Sequence, residues 1–125
     1  MEVLSLEATH DTPQVYFDHF KGLIKLSGRS MPDDARGFYL PLKNWVKQYM
    51  ENPREVTEVI IDLEYFNSAS STMIYELLRE LGRLIKEGKQ IKATWYYLDG
   101  DYDMEEAGKI FAEITNVPFD YEVYE

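Results

Sequence analysis

Residues 56–88 read VTEVIIDLEYFNSASSTMIYELLRELGRLIKEG, and this stretch decides the fold. It opens with a β-branched and aromatic run that ends at Phe66, which is typical of a strand covered on both faces by other elements. After Asn67 comes a turn rich in serine. The apolar residues then switch to helical spacing, at Met73, Ile74, Leu77, Leu78, Leu81, Leu84 and Ile85. Gly88 follows as a residue suited to the left-handed end of a helix. We therefore predict a strand buried on both faces, a turn and an amphipathic helix packed against the strand.

The remaining residues supply strands and helices on both sides of this unit. Before it we predict strands over residues 3–8, 14–18 and 23–26, a loop over 28–37 and a helix over about 39–50. After it we predict a strand over 91–98, an acidic turn over 99–103, a helix over 104–115 and a strand over 117–124. The inward face of the last helix is predicted to consist of Met104, Ala107, Ile110, Phe111 and Ile114. This order predicts an α/β fold with a mixed β-sheet, right-handed crossovers and about three helices, in one domain over residues 1–125.

The composition excludes several classes of protein. At 125 residues, with 45% apolar and 14% aromatic residues, the chain can bury one core. It has no cysteine, which excludes disulfides, thiolate metal sites and cysteine nucleophiles. No bilayer-length apolar run and no signal peptide are present, so we predict a cytoplasmic protein without a membrane partner. A net charge of −10 without a basic patch argues against nucleic acid and favours protein partners.

An acidic cluster raises the question of a metal site. It comprises Asp99, Asp101, Asp103, Glu105 and Glu106. A calcium loop of the EF-hand type needs glycine at its sixth position and glutamate at its twelfth, where this chain has Met104 and Ile110. Carboxylates also stabilise the positive end of a helix. We therefore predict a solvated helix start, with no metal and no cofactor.

Two carboxylates on the central strand offer an enzymatic alternative. Asp62 and Glu64 are two residues apart and share one face of the strand, as a pair of catalytic acid and base residues would. In the structural alternative, Asp62 accepts a hydrogen bond from a neighbouring loop and Glu64 is solvated. The sequence contains no serine, histidine and aspartate arrangement and no glycine-rich phosphate loop. A small-ligand enzyme using these two residues is therefore the less favoured hypothesis.

The serine turn offers a different chemistry. We predict that Ser70 or Ser71 caps the helix, because hydroxyl oxygens accept hydrogen bonds from the first backbone N–H groups. Ser68 would then stand exposed at the strand end, outside the helix. A phosphate on Ser68 would carry a charge of roughly −2 beside the helix N-terminus, where backbone donors stabilise it. The residue pattern leaves both readings open, plain capping and a phosphorylation switch.

Four further motifs make the chain resemble a known family. Residues 59–63 and the turn after Phe66 resemble the STAS domain of anti-sigma factor antagonists. More specifically, the chain resembles the SiaC family of regulatory phosphoproteins. The matching motifs are Tyr65-Phe66-Asn67-Ser68, Trp95-Tyr96-Tyr97, Asp103-Met104-Glu105-Glu106-Ala107-Gly108 and Pro118-Phe119. They occur in the family's order, and because the Thr9 to Pro13 segment and the helix with Pro41 also fit, the resemblance spans almost the whole chain.

This resemblance implies a STAS-like, non-enzymatic bacterial switch protein that is phosphorylated on the hydroxyl after the asparagine, here Ser68, with Ser70 as the alternative. It implies a serine/threonine kinase of the histidine-kinase-like ATPase fold and an opposing PP2C-type phosphatase. It also implies that the unphosphorylated form binds a diguanylate cyclase in cyclic-di-GMP signalling. We expect the partner-binding residues to be Asp62, Asn67, Ser68, Ala69, Ser70 and Ser71. An anti-sigma factor antagonist in a partner-switching pathway is the alternative function.

Overall fold

The computed structural model describes residues 1–125 and contains six strands and three helices. In chain order these are β1 (Leu4–Leu6), β2 (Gln14–Asp18), β3 (Leu23–Ser30), α1 (Ala35–Tyr49), β4 (Val56–Phe66), α2 (Ser68–Lys86), β5 (Gln90–Leu98), α3 (Tyr102–Thr115) and β6 (Phe119–Tyr124). All six strands form one sheet in the order β1-β2-β3-β4-β5-β6. β2 is antiparallel to both of its neighbours, β1 and β3, and β3 to β6 are parallel. The predicted α/β fold with a mixed sheet is confirmed.

The helices cover only one face of the sheet. Each crossover moves one strand further in the same direction, so right-handed crossovers place α1, α2 and α3 on the same side. The alternation along β4 agrees, since Val59, Ile61 and Leu63 are buried whereas Ile60 and Asp62 are partly exposed. The prediction that the central strand is buried on both faces is therefore wrong. The apolar Ile60, which made the run look continuous, lies on the open face.

The core lies between the sheet and the helices. It contains 25 buried apolar residues in one cluster, which includes Val59, Ile61 and Leu63 of β4. Leu77, Leu81 and Leu84 belong to the same cluster, as predicted. None of the three helices has the length and hydropathy of a membrane span.

The connection from β3 to α1 differs from the predicted loop over residues 28–37. β3 continues to Ser30 because a register shift after Gly28, whose φ is +105°, restores pairing with β4. α1 begins at Ala35, where Asp34 caps it by accepting a hydrogen bond from the Gly37 N–H at 3.0 Å. The loop is thus only four residues long, 31–34. At the end of α2, Gly88 has a φ of +82°, as predicted.

The orientation of α3 also differs from the prediction. Met104 and Phe111 are buried, but Ile110 and Ile114 are 48% and 51% exposed. The face of α3 that meets the sheet is centred on Gly108, where an added Cβ would lie 2.6 Å from the Trp95 ring. Because the face with Gly108 packs against the sheet, Ile110 and Ile114 lie on the side of α3 and remain exposed. The prediction that these two residues point inward is wrong.

Candidate phosphorylation and partner-binding site

The serine-rich segment lies where β4 ends and α2 begins. β4 ends at Phe66 and α2 begins at Ser68, with Asn67 alone between them. The segment therefore sits at the carboxyl edge of the parallel strands β3 to β6.

Asn67 is the residue that caps α2. Its Oδ1 accepts a hydrogen bond from the Ser70 N–H at 2.9 Å, and its backbone N–H donates to the Ser30 carbonyl at 3.0 Å. The Ser71 N–H donates to the Asn67 carbonyl at 2.9 Å, the first bond of the helix. The prediction that Ser70 or Ser71 caps the helix is wrong. Asparagine and serine fill this position equally well, and the helix begins earlier than the apolar periodicity indicated.

Ser68 is the first residue of α2, and its side chain is exposed. It thus lies inside the helix, not before it as predicted. The backbone N–H groups of Ser68 and Ala69 have no acceptor within the helix, because the first turn has no preceding carbonyls to meet them. The first turn carries no acidic side chain. A dianion on the Ser68 hydroxyl would therefore meet backbone donors and the positive helix end.

Ser70 is fully buried in a network of three hydroxyl groups. The Ser30 Oγ donates to the Ser70 Oγ at 2.8 Å and lies 2.7 Å from the Tyr39 Oη. Burial raises the pKa of Tyr39 to about 12, although its hydrogen bonds to the serines lower it. The network ties β3, α1 and α2 together directly beneath the cap. A kinase could not reach Ser70 without opening this core.

Asp62 and Glu64 lie apart from this edge. They sit on the face of β4 that no helix covers, and Asp62 is five residues, roughly 16 Å, before Asn67. Partial burial and the neighbouring Asp62 carboxylate raise the pKa of Tyr124 on β6. Neither carboxylate lines the grooves on the helix side. The structure therefore does not bring Asp62 next to Ser68, and the two carboxylates do not converge on a pocket there.

The acidic cluster after β5 forms the start of α3. The Asp101 Oδ1 accepts a hydrogen bond from the Met104 N–H at 3.1 Å and so caps the helix. Glu105 in the first turn pairs with Lys109 at 3.4 Å. The predicted helix start is confirmed, and the absence of a metal remains a prediction.

An apolar groove runs between α2 and α3 beside the serine segment. It has a volume of about 500 Å³ and is lined by Phe66, Ser71, Thr72, Tyr75, Ala107, Ile110, Phe111 and Ile114. The two helices approach closely near Gly82, where an added Cβ would lie 2.7 Å from the Thr115 carbonyl oxygen. They leave the groove open along the first half of α2. Sequence reasoning missed this groove because it placed Ile110 and Ile114 in the core.

Comparison with known proteins identifies one family for this chain. A family model described as "SiaC family regulatory phosphoprotein" matches residues 6–124. An uncharacterized protein of Pseudomonas aeruginosa (strain UCBPP-PA14) is 23% identical over 119 residues, which are 95% of this chain and 94% of that protein.

Solved structures of SiaC from Pseudomonas aeruginosa have the same fold. Apo-SiaC is 20% identical with a TM-score of 0.85, over 98% of this chain and 99% of that one. A chain in the crystal structure of the diguanylate cyclase SiaD in complex with its activator SiaC is 21% identical with a TM-score of 0.89, over 97% of this chain and 99% of that one. At these identities the structures establish the shared fold of this chain.

Proposed function

Because the chain belongs to the SiaC family of regulatory phosphoproteins, we propose that it is a non-enzymatic switch protein controlled by phosphorylation of Ser68. The observation that carries this proposal is the contrast between Ser68 and Ser70. Ser68 is exposed at the N-terminus of α2, whereas Ser70 is fully buried and hydrogen-bonded to Ser30. Of the two candidate serines, only Ser68 presents its hydroxyl to a kinase in the folded protein.

The capping role of Asn67 supports Ser68 as the switch residue. Since the Asn67 side chain satisfies the Ser70 N–H, the Ser68 hydroxyl is not needed to hold the helix start together. A phosphate can therefore be added without removing a cap. Its charge of roughly −2 is stabilised by the free helix donors, so the fold tolerates the modification.

The proposed partner is a diguanylate cyclase. SiaC of Pseudomonas aeruginosa forms a complex with the diguanylate cyclase SiaD, of which SiaC is the activator. This chain has the same fold as SiaC in that complex. In the proposal, the unphosphorylated chain binds the cyclase through the surface around Ser68. A phosphate at this surface would have to be desolvated on binding, which lowers affinity. A kinase of the histidine-kinase-like ATPase fold and a PP2C-type phosphatase, both taken from the family resemblance, would set the phosphorylation state.

The test compares the affinity of a diguanylate cyclase for three variants by titration calorimetry. Ser68→Ala is expected to bind like the parent, because the hydroxyl is replaced by a small neutral group. Ser68→Asp is expected to bind at least about tenfold more weakly, equivalent to about 1.4 kcal/mol. Ser5→Asp places the same charge on exposed residue 5 of β1 and serves as the matched control.

Equal affinity of Ser68→Ala and Ser68→Asp would contradict the switch. Binding of the parent chain to an anti-sigma kinase without any binding to a cyclase would instead support the antagonist function. The measurement therefore separates the two signalling pathways as well as testing the residue.

A further inference from the structure

The groove between α2 and α3 has the exposed apolar surface that an interaction site requires. Ile110 and Ile114 are 48% and 51% exposed and stand one turn apart on α3. Across the groove, Tyr75 of α2 is partly buried against the core. Six of the eight lining residues are apolar. A groove of this kind between two helices fits the apolar face of a third helix.

The groove is continuous with Ser68. Ser71 and Thr72 line its wall, and they lie three and four residues after Ser68 on the same helix. Residues at these spacings are neighbours on a helix surface, with Cβ atoms roughly 5–6 Å apart. Thr72 also donates through its Oγ1 to the Ser68 carbonyl at 3.5 Å. A phosphate on Ser68 would therefore stand at one end of the groove.

The rim of the groove on α3 is acidic. Glu106 and Glu113 are exposed and lie within one turn of Ile110, and neither forms an ion pair. α3 carries four acidic residues and a single basic one, Lys109. The chain as a whole has a net charge of −10. Charge complementarity then favours an occupant that carries lysine or arginine beside its apolar face.

From these three observations we propose that the groove is the docking site for a basic amphipathic helix of the partner protein. The inference rests on the proposed function, since the partner is taken to be the cyclase. The helix would place apolar residues at three- and four-residue spacing over Tyr75, Ile110 and Ile114, with its basic residues toward Glu106 and Glu113. The apolar face would also cover the Ser68 end. Phosphorylation would thus add a dianion where the occupant is apolar.

The test measures cyclase affinity for Ile110→Glu against a matched control. Ile110→Glu is expected to lower the affinity at least about 30-fold, the loss typical of an interface hot spot. Ile85→Glu changes the same residue type at similar exposure, 41%, on α2 outside the groove. It is expected to change affinity less than about threefold. Glu113→Lys is expected to slow association, and the difference from the parent should shrink as salt is added.

The outcomes separate this inference from the proposed function. If the parent binds the cyclase and Ser68→Asp weakens binding but Ile110→Glu does not, the proposed phosphorylation switch is supported. The proposed docking of the partner in the groove is then wrong. If the parent chain does not bind any diguanylate cyclase, both proposals are overturned. If Ile110→Glu instead converts a dimer of this chain into monomers in analytical ultracentrifugation, the occupant is a second copy and the partner helix is wrong.

Discussion

Adding a carboxylate at Ser68 and at Ser70 should have opposite effects on stability, although the two residues are only one half-turn apart. Ser68→Asp places a negative charge on the exposed first residue of α2, in a turn without acidic residues. We expect the free energy of unfolding to rise by about 0.5 kcal/mol through the helix dipole. Ser70→Asp puts the carboxylate in a fully buried position, where the Ser30 hydroxyl lies 2.8 Å from the Ser70 hydroxyl and leaves no room for a larger charged group. We expect a loss of about 3–5 kcal/mol, the usual cost of an uncompensated buried charge.

Urea unfolding at pH 7 and at pH 5 separates the effect of the introduced charge on stability from the effect of side-chain shape. Burial would hold the pKa of the carboxyl introduced by Ser70→Asp above its ordinary value, so its penalty applies above about pH 4 and grows with pH. The penalty should therefore shrink by up to about 1.4 kcal/mol per pH unit as the pH is lowered from 7 to 5. Ser70→Asn introduces a side chain of nearly the same shape as aspartate but without its charge. The free energy of unfolding lost in this variant should therefore not depend on pH. Equal stability of Ser68→Asp and Ser70→Asp at pH 7 would refute the placement of these two serines.

Three further predictions test the core. Leu81→Ala should cost about 2–5 kcal/mol because Leu81 is 1% exposed, whereas Ile85→Ala, at an exposed position of the same helix, should cost less than about 1 kcal/mol in urea unfolding. Gly108→Ala should destabilise the fold by about 1–3 kcal/mol and perturb the fluorescence of Trp95, since the added Cβ would enter the indole ring. Tyr39 has a pKa of about 12 in the fold against 10.0 when free, so the unfolded chain loses its proton first and stability falls between these values; in Tyr39→Phe, about 2 kcal/mol of this alkaline loss should be absent when unfolding curves at pH 9 and 11.5 are compared.

The order of elements could be read from the sequence because the apolar spacing changes sharply at their boundaries. The strand period ends at Phe66 and the helix period is clear from Met73, which placed the junction of β4 and α2 in the serine-rich segment between them, although α2 already begins at Ser68. β2 occupies the residues predicted for it. Strand and helix periods are local properties of neighbouring residues, so no long-range information was needed for them.

Two of the errors concern contacts between residues far apart in the chain, and a third concerns a local choice of helix cap. Ile60 lengthened the apolar run of β4 and made the strand look buried on both faces. Whether helices cover the face of the sheet that carries Ile60 depends on the direction of three crossovers, which the run itself does not show. The burial of Ser70 depends on Ser30 and Tyr39, which are 40 and 31 positions away and carry no signal that pairs them with Ser70. The choice of cap among Asn67 and its serine neighbours was also open, since both residue types cap helices.

The central claim is that Ser68 is the switch residue, and mapping the phosphate tests it most directly. The protein is incubated with its cognate kinase and ATP, digested, and sequenced by tandem mass spectrometry. The account predicts phosphate on Ser68, with none on Ser70 because its hydroxyl is buried in the folded protein. Phosphate found on Ser70 or Ser71 while Ser68 stays unmodified would contradict it.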